Sequence, residues 1–395
     1  MPLDFQSIAA IFFLILLSLF LYLKRKKLQK HGQFPFFYAL LYKTNFGLKS
    51  MDKYAKKYNK TFRFLGYAGI IIGFLGMALL AFSLTQNLYE LFTKPEAPAG
   101  VGLVLPIEAR GVIFVPFFYW IIAIFIVALV HEYAHGVIAR AHKIKVKSSG
   151  FGFLGAIIPI LPLAFVEPDE KDLRKRPHSQ QLSVFAAGPF SNILLAFVVL
   201  GISAFLFSPL VDNITNSSIN IVGFIESGSG SPAKRAGAAI GESILEIEGK
   251  RIESVNDLAE VLKEKSPGST VELKTNADTY NVKLIENPND ENSGFLGVSL
   301  RPELTTDEAF EERYGSFIPA VIMWVGGLLS WLILLNLGIG LFNLIPIGPV
   351  DGGRMMQLVL HKLFKNKKRA DKIWHHISLV FLLVVVAIIF KACTA

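Results

Sequence analysis

The sequence predicts a polytopic α-helical membrane protein of about six transmembrane helices with an inserted α/β domain. The chain of 395 residues is 52% hydrophobic and has a mean hydropathy of +0.47, which is too apolar for an ordinary soluble protein. Six apolar segments approach or exceed the roughly 20 residues needed to span a bilayer. They cover residues 5–23, 64–84, 111–139, 182–210, 317–346 and 376–390. Hydrophobicity falls between the fourth and the fifth segment, which places a polar domain there.

These segments divide the chain into four parts. Residues 1–110 hold a transmembrane pair joined by a basic loop, and residues 111–210 hold the next two spans. Residues 211–316 form the inserted domain, and residues 317–395 hold the last two spans. We expect the first segment to be an uncleaved anchor with its N-terminus outside the cytoplasm, because its cations follow the apolar run.

Positive charge predicts the topology. Residues 24–63 carry twelve Lys or Arg and residues 141–177 and 354–373 carry seven each, whereas the loop 85–110 carries two. Because cytoplasmic loops are enriched in these residues, we expect the basic segments in the cytoplasm and the inserted domain outside the cell membrane. Topology signals and contacts with lipid headgroups account for the basic loops, so we infer no nucleic-acid partner.

An HExxH motif, His131-Glu132-Tyr133-Ala134-His135, lies inside the third apolar segment. Two histidines four residues apart share one face of a helix, which suits two ligands of one zinc ion. The glutamate between them can take a proton from metal-bound water. The alternative is a set of buried polar groups satisfied by neighbouring helices, which would cost free energy for no evident gain.

A hydrolytic zinc site needs three protein ligands and one open position for water. Cys393 is the only cysteine, so histidine and acidic side chains must supply the ligands. The best third candidate is Asp351, which follows the helix-breaking Pro346 and Pro349 at the end of the fifth segment. Taken alone, Asp351 also fits an ordinary Asp-Gly-Gly turn at the membrane surface. The next candidates for the third ligand are Glu167, Asp169 and Glu170.

The inserted domain alternates short strands and helices. The predicted strands cover residues 219–225, 243–248, 270–274, 280–285 and 295–300, and the predicted helices cover 231–237 and a stretch from Ser254 or Asn256 to 265. The run GSPAKRAGAAIGESILEIEGKRIESVNDLAEVL resembles the permuted PDZ domains of prokaryotic membrane proteases, with Ala238 and Glu242 in place of the usual Leu and Asp. Such a domain binds a peptide end or acts as a steric filter, and the sequence leaves both roles open.

Three motifs together resemble the site-2 proteases, a family of intramembrane zinc metalloproteases. HEYAHG matches the family's HExxH, and AAGPFSN at residues 186–192 matches its GPxxN. NLIPIGPVDGG at residues 343–353 matches its NxxPxxxLDG, with Val350 in place of the usual Leu. The order of these motifs over residues 111–391 and the PDZ domain inserted before the last of them are also typical of the family.

The resemblance implies one catalytic zinc ion, whose ligands are His131, His135 and Asp351. The implied general base is Glu132. Asn343 and Asn192 would hold the substrate backbone or organise the site, although an asparagine in a membrane helix can simply hydrogen-bond a neighbouring helix. The apolar residues 150–165, interrupted by Gly and Pro, correspond to a re-entrant segment that pairs with unwound substrate; a loop lying on the surface is the alternative.

The implied activity is that of an endopeptidase that hydrolyses peptide bonds within or near transmembrane segments, as in regulated intramembrane proteolysis. Its partners would be the lipid bilayer and transmembrane protein substrates, including substrates first cut by another protease. One rival function is a non-proteolytic PDZ-bearing adaptor with a structural zinc site, against which the intact HExxH and DGG motifs argue. The other is a transporter, but the sequence carries no evident inverted repeat and transport does not need HExxH.

Overall fold

The computed structural model describes residues 5–33, 37–94, 98–156, 158–225, 230–288 and 290–394. Two compact units make up the chain, one formed by Met1–Ser203 with Gly326–Ala395 and the other by Ala204–Val325. The extreme N-terminus and residue 157 of the segment 150–165, for which the sequence makes predictions, lie outside the described residues.

Helices and strands alternate along the described chain. The helices are α1 (Phe5–Lys24), α2 (Leu48–Lys57), α3 (Asn59–Thr93), α4 (Phe117–Ala141), α5 (Glu170–Leu173), α6 (His178–Ile202), α7 (Ser208–Asp212), α8 (Pro232–Ala236), α9 (Val255–Lys263), α10 (Glu308–Tyr314), α11 (Phe317–Phe342), α12 (Asp351–Leu363) and α13 (Lys367–Thr394). The strands are β1 (Leu28–Gln33), β2 (Phe37–Thr44), β3 (Leu103–Leu105), β4 (Val112–Phe114), β5 (Val146–Ala156), β6 (Ile158–Pro168), β7 (Thr215–Phe224), β8 (Ser243–Ile247), β9 (Lys250–Arg251), β10 (Thr270–Thr275), β11 (Thr279–Lys283), β12 (Ile285–Asn287), β13 (Asp290–Phe295) and β14 (Val298–Thr306).

Six helices of the described chain are long and apolar enough to cross a membrane, which confirms the predicted fold class. They are α1, α3, α4, α11, α13 and α6 with its continuation to Asp212. The third span begins at Phe117 instead of residue 111, because Pro116 precedes the helix and the residues before it form β4. The last span begins at Lys367, earlier than predicted, because a helix continues through polar residues that apolar periodicity does not register.

The basic segment 24–63 forms regular structure that the sequence analysis did not predict. Its strands β1 and β2 join β5 and β6 in one four-stranded sheet, in the order β1-β2-β5-β6. All three pairings are antiparallel. Residues 150–165 therefore contribute to β5 and β6, as expected of a segment with non-helical backbone. Across this sheet, Lys43 Nζ lies 2.7 Å from Glu167 Oε2, which links β2 to β6.

Helix α3 packs against the core through one glycine-lined face. Gly66 and Gly69 meet Ser183 and Phe190 of α6, where an added Cβ would lie 3.2 and 3.3 Å from those side chains. One and two turns further along, a Cβ at Gly73 would lie 2.9 Å from Met355 Cε, and a Cβ at Gly76 would lie 2.6 Å from Leu344 Cδ1. Leu344 and Met355 are fully buried and lie on either side of Asp351 in sequence. Close approach of α3 therefore supports the segment that carries Asp351.

The second unit contains the inserted α/β domain that the sequence predicts. Its sheet has the strand order β11-β10-β8-β7-β14, with β9 paired to β8. The core is built from aliphatic side chains of these strands and of α9, among them Ile219, Ile221, Ile244, Ile247, Leu258, Val271 and Leu273. Ser254 caps α9 in a capping box with Asp257, which settles the predicted choice between Ser254 and Asn256. The strand predicted at 295–300 is divided, because Gly297 has a φ of +67° between β13 and β14.

Replacing Gly76 with Leu should lower the thermal unfolding midpoint of the protein in detergent. The new side chain would collide with buried Leu344, and overpacking of this kind costs about 1–3 kcal/mol. Gly201→Leu is the matched control, because an added Cβ there meets nothing within 4 Å. Equal midpoints for the two variants would show that α3 does not pack on this face.

Candidate metal centre

Helix α4 presents the two histidines of the HExxH motif to one point in the core. His131 and His135 are 8% and 9% exposed, and their ring centroids lie 4.8 Å apart. The Nε2 atoms of His131 and His135 lie 3.1 and 3.3 Å from Asp351 Oδ2. The structure therefore brings together the three side chains predicted to be ligands, two from α4 and one from the start of α12.

The segment before α12 positions Asp351 through close backbone packing. The backbone N–H of Gly352 donates to the carbonyl of Asn343 at 2.8 Å, which folds residues 343–350 back on themselves. A Cβ at Gly352 would collide with the carbonyl of Leu344, and a Cβ at Gly353 with that of Ile347. Glycine is therefore required at both positions, because the main chain of residues 344–347 approaches too closely for a side chain. Asp351 itself begins a helix of 13 residues, where the helix dipole favours a negative charge.

A backbone hydrogen bond fixes the ring of His135. Its Nδ1 lies 2.7 Å from the carbonyl oxygen of Val184 on α6. A carbonyl only accepts, so Nδ1 carries the proton and Nε2 keeps its lone pair toward Asp351. This is the arrangement by which metal-binding histidines are usually oriented.

The fully buried Asn192 fixes the ring of His131 in the same way. Its amide nitrogen stands 3.1 Å from His131 Nδ1, while its Oδ1 is buried with no hydrogen-bond partner in the described part of the chain. A half-turn of the amide exchanges these two atoms, which are assigned from their hydrogen bonds. Oδ1 then accepts from Nδ1–H, and Nε2 of His131 is free to bind a metal. The geometry favours the site-organising role for Asn192 over contact with substrate.

Gly188 provides the space in which the ligands meet. A Cβ on this residue would collide with Nε2 of both His131 and His135. Gly188 and Asn192 are four residues apart on α6, so they share the face turned toward the histidines. In the sequence, Gly188 lies within the AAGPFSN motif, and its spacing from Asn192 indicates only that the two residues share a helical face.

Glu132 lies beside the histidines, and its ligand atom and theirs are all within 4.8 Å of one another. Its Oε2 accepts a hydrogen bond of 2.9 Å from the backbone N–H of Val166 on β6. This contact anchors one carboxylate oxygen and leaves Oε1 to act on a substrate or a water. This hydrogen bond links the four-stranded sheet to Glu132, the candidate base.

The remaining predicted residues have other partners. Asn343 donates to the carbonyl of Ile339 at 2.9 Å, so its side chain stabilises the end of α11. Glu167 accepts from Lys43 and Ser148, and these hydrogen bonds lower the pKa of its carboxyl group. Asp169 caps α5 by accepting from two backbone N–H groups. Glu170 accepts from Arg174 at 3.0 Å. Of the four predicted carboxylates, Asp351 is the one that contacts both histidines.

The donor set fits a zinc ion. Two imidazoles and one carboxylate from buried positions match the ligand types and number of a hydrolytic zinc site. The buried oxygen of Asn192 and the clearance at Gly188 are both explained if a metal binds between the Nε2 atoms and Asp351. Without one, three ionisable groups would be buried together at a cost that their mutual hydrogen bonds only partly offset.

Gly188→Ala should abolish stable zinc binding while leaving the helices folded. Its methyl group would occupy the space of the two Nε2 atoms, so we expect zinc occupancy of the purified protein to fall about tenfold or more. Gly201→Ala, on the same helix in open space, should keep the wild-type zinc content. Elemental analysis of both variants makes the comparison, and full occupancy in Gly188→Ala would refute the placement of the metal.

Asn192→Ala should weaken zinc binding by about 10–100-fold, the usual effect of removing a group that orients a metal-binding histidine. Competition with a chelator of known affinity measures this change. If Asn192 instead contacts substrate, zinc affinity will be unchanged and only the KM of a peptide substrate will rise.

Comparison with known proteins shows the family of this chain. Residues 119–385 match the model of a family described as Peptidase family M50. The chain is 28% identical over 338 residues to an uncharacterised protein of Methanocaldococcus jannaschii, a match that covers 83% of this chain and 79% of that protein. It is 27% identical over 237 residues to the zinc metalloprotease RasP of Shouchella clausii, covering 49% of this chain and 53% of RasP.

Among solved structures, the PDZ domain of the SdrC-like protein from Listeria monocytogenes matches 21% of this chain and 85% of that chain, at 19% identity and a TM-score of 0.17. The family model, in contrast, spans more than half of the chain and includes the HExxH, GPxxN and DGG motifs. It confirms the resemblance to the site-2 proteases, and the chain belongs to peptidase family M50.

Proposed function

We propose that this protein is an intramembrane zinc endopeptidase that hydrolyses peptide bonds within or near transmembrane segments of membrane proteins. The observation that carries the proposal is that Asp351 of α12 meets His131 and His135 beside Glu132. The two histidines and Glu132 lie on α4, a helix long and apolar enough to cross a membrane. Ionisable groups at membrane depth are costly and usually functional. RasP, to which this chain is similar, is named a zinc metalloprotease, and that name supports zinc as the metal.

The site residues have two chemical roles, metal binding and proton transfer. His131, His135 and Asp351 would hold one zinc ion, which would supply polarisation of the scissile carbonyl and a water of lowered pKa, about 7. Glu132 accepts the proton of the attacking water at Oε1, because Oε2 is held by the Val166 N–H. The same oxygen then delivers the proton to the leaving amine.

We infer that strand β6 receives an extended substrate. It is an edge of the described four-stranded sheet and reaches Glu132 through Val166. A peptide bond within a helix has its carbonyl hydrogen-bonded, so a substrate helix must unwind before it can react. Pairing of the unwound segment beside β6 would supply the lost hydrogen bonds and bring it close to the base.

The substrates and the topology follow from the same proposal. We infer that the substrates are transmembrane proteins, including proteins first cut by another protease. The N-terminus and the inserted PDZ domain lie outside the cytoplasm, and the basic segments 24–63, 141–177 and 354–373 lie inside it, as their charge predicts.

Glu132→Gln should abolish cleavage and keep zinc bound, because the ligands are untouched and the general base is lost. The assay is cleavage of a transmembrane peptide in detergent micelles, with zinc content measured on the same sample. Glu90→Gln, on α3 and bonded to Gln86, is the matched control and should be fully active. Residual activity of even a tenth of wild type in Glu132→Gln would exclude the general-base role.

Replacing residues 218–301 by a short linker should leave the zinc site intact and change which substrates are cut, since this domain supplies no ligand. Removal of a steric filter would speed cleavage of a substrate with a long ectodomain, whereas removal of a peptide receptor would slow cleavage of good substrates. Rates for long- and short-ectodomain versions of one substrate separate the two roles, and we expect the filter. Unchanged rates for both versions would show that the domain does not control access.

A further inference from the structure

A cavity of about 720 Å³ lies between α2, α3, α4 and α6 within the first unit. Its volume is within the range of roughly 300–1,000 Å³ that is usual for small-molecule sites. Helix α3 contributes Phe62, Leu65 and Gly66 to the wall, so the cavity exists because this additional helix packs against the core.

The cavity lies on one flank of the catalytic helices. On α4 its lining includes Tyr133 and Val137, each two residues beyond a ligand histidine and about 200° around the helix from it, and also Ala134 and Ile138, which lie closer to the histidines. The residues that line it do not include His131, Glu132, His135 or Asp351. The cavity is therefore distinct from the metal centre.

The lining is almost entirely aliphatic and aromatic. Polar atoms enter it mainly from Lys49, Ser50, Tyr133 and Ser191. Ser191 satisfies its hydroxyl by donating to the carbonyl of Gly188 at 2.7 Å. A large apolar space of this kind does not hold water well, and leaving it empty forfeits dispersion contacts along its whole wall. Because α3, α4 and α6 are membrane-spanning helices, the hydrocarbon available to fill it is a lipid acyl chain.

One end of the cavity is polar and positively charged. There the hydroxyl of Tyr133 donates to Ser50 Oγ at 3.0 Å, and Ser50 donates to the carbonyl of Gly47 at 2.8 Å. Lys49 lines the same end, is exposed and forms no ion pair with any residue that the structure describes. Helix α2 carries further cations at Lys53, Lys56 and Lys57. A short basic helix at the end of an apolar cavity matches an anionic headgroup joined to an acyl chain.

We propose that this cavity binds one acyl chain of an anionic phospholipid, whose phosphate pairs with Lys49. The apolar walls select the chain, and the charge of Lys49 selects the headgroup. The lipid would fill the space between α2, α3, α4 and α6 and so support α4 and α6, which carry the two histidines and their orienting residues.

Native mass spectrometry of the purified protein in detergent tests the headgroup. Dioleoyl phosphatidylglycerol and dioleoyl phosphatidylcholine are added separately at equal concentration. We expect one phosphatidylglycerol to be retained about fivefold better than phosphatidylcholine, as one cation near an anionic headgroup would give. Lys49→Gln should lose this preference, and Lys56→Gln, at the other end of α2, should keep it. Equal retention of the two lipids, or equal effects of the two variants, would overturn the proposal.

A second pair of variants tests the chain site. Leu194→Trp should fill the cavity and reduce retention, whereas Leu200→Trp, exposed on the same helix and outside the lining, should not. Should Leu194→Trp fail to fold, phosphatidylglycerol with a diazirine at its chain end, photolysed on the unmodified protein, provides the same test. We expect labels on the cavity walls of α3, α4 and α6. Labels confined to other helices, or displacement of the lipid by a transmembrane substrate peptide, would contradict the proposal.

Discussion

Two imidazoles and a carboxylate must meet at one point inside a bundle of apolar helices, and most of the first unit serves that requirement. The bulk of hydrocarbon and protein around them cannot solvate a charge, so each ligand needs a fixed partner on its far side. His135 has the carbonyl of Val184, and His131 has the amide of Asn192. Because Gly188 has no side chain, the Nε2 atoms of both histidines have room beside α6. Helix α6 thus contributes no ligand, yet it orients both histidines.

The N-terminal part of the chain is tied to this arrangement at two places. Through its glycine-lined face, α3 contacts Leu344 and Met355 on either side of Asp351, and so it restrains the acidic ligand. Strands β1 and β2 extend the sheet whose edge strand β6 holds Glu132 through Val166. Helix α3 and the strands before it are therefore more than an anchor, because they contact the segment that carries Asp351 and the sheet that holds Glu132. The apolar cavity beside α3 gives the same region a further role in lipid contact.

Local sequence patterns predict part of the fold and part of the candidate site. The HExxH spacing places two histidines on one helical face, and long apolar runs identify spans, since both signals are contained in a few turns of chain. The Ser254 cap and the strands of the inserted domain follow for the same reason. The role of Gly188 could not be predicted, because it depends on contact between α6 and α4, far apart in sequence. Strands β1 and β2 were missed because β1 is mostly polar, the apolar run of β2 is short, and their partner β5 lies about a hundred residues away. Asn192 was recognised as a site residue, but only its contact with His131 distinguishes orientation of a ligand from contact with a substrate.

Zinc K-edge X-ray absorption spectroscopy of the purified, zinc-loaded protein tests the central claim most directly, because it reports the ligand atoms themselves. We predict two imidazole nitrogens at about 2.0–2.1 Å and oxygen ligands at about 2.0–2.2 Å, one of them lost in Asp351→Ala. A first shell containing a single imidazole, or a sulfur at about 2.3 Å, would contradict the site formed by His131, His135 and Asp351.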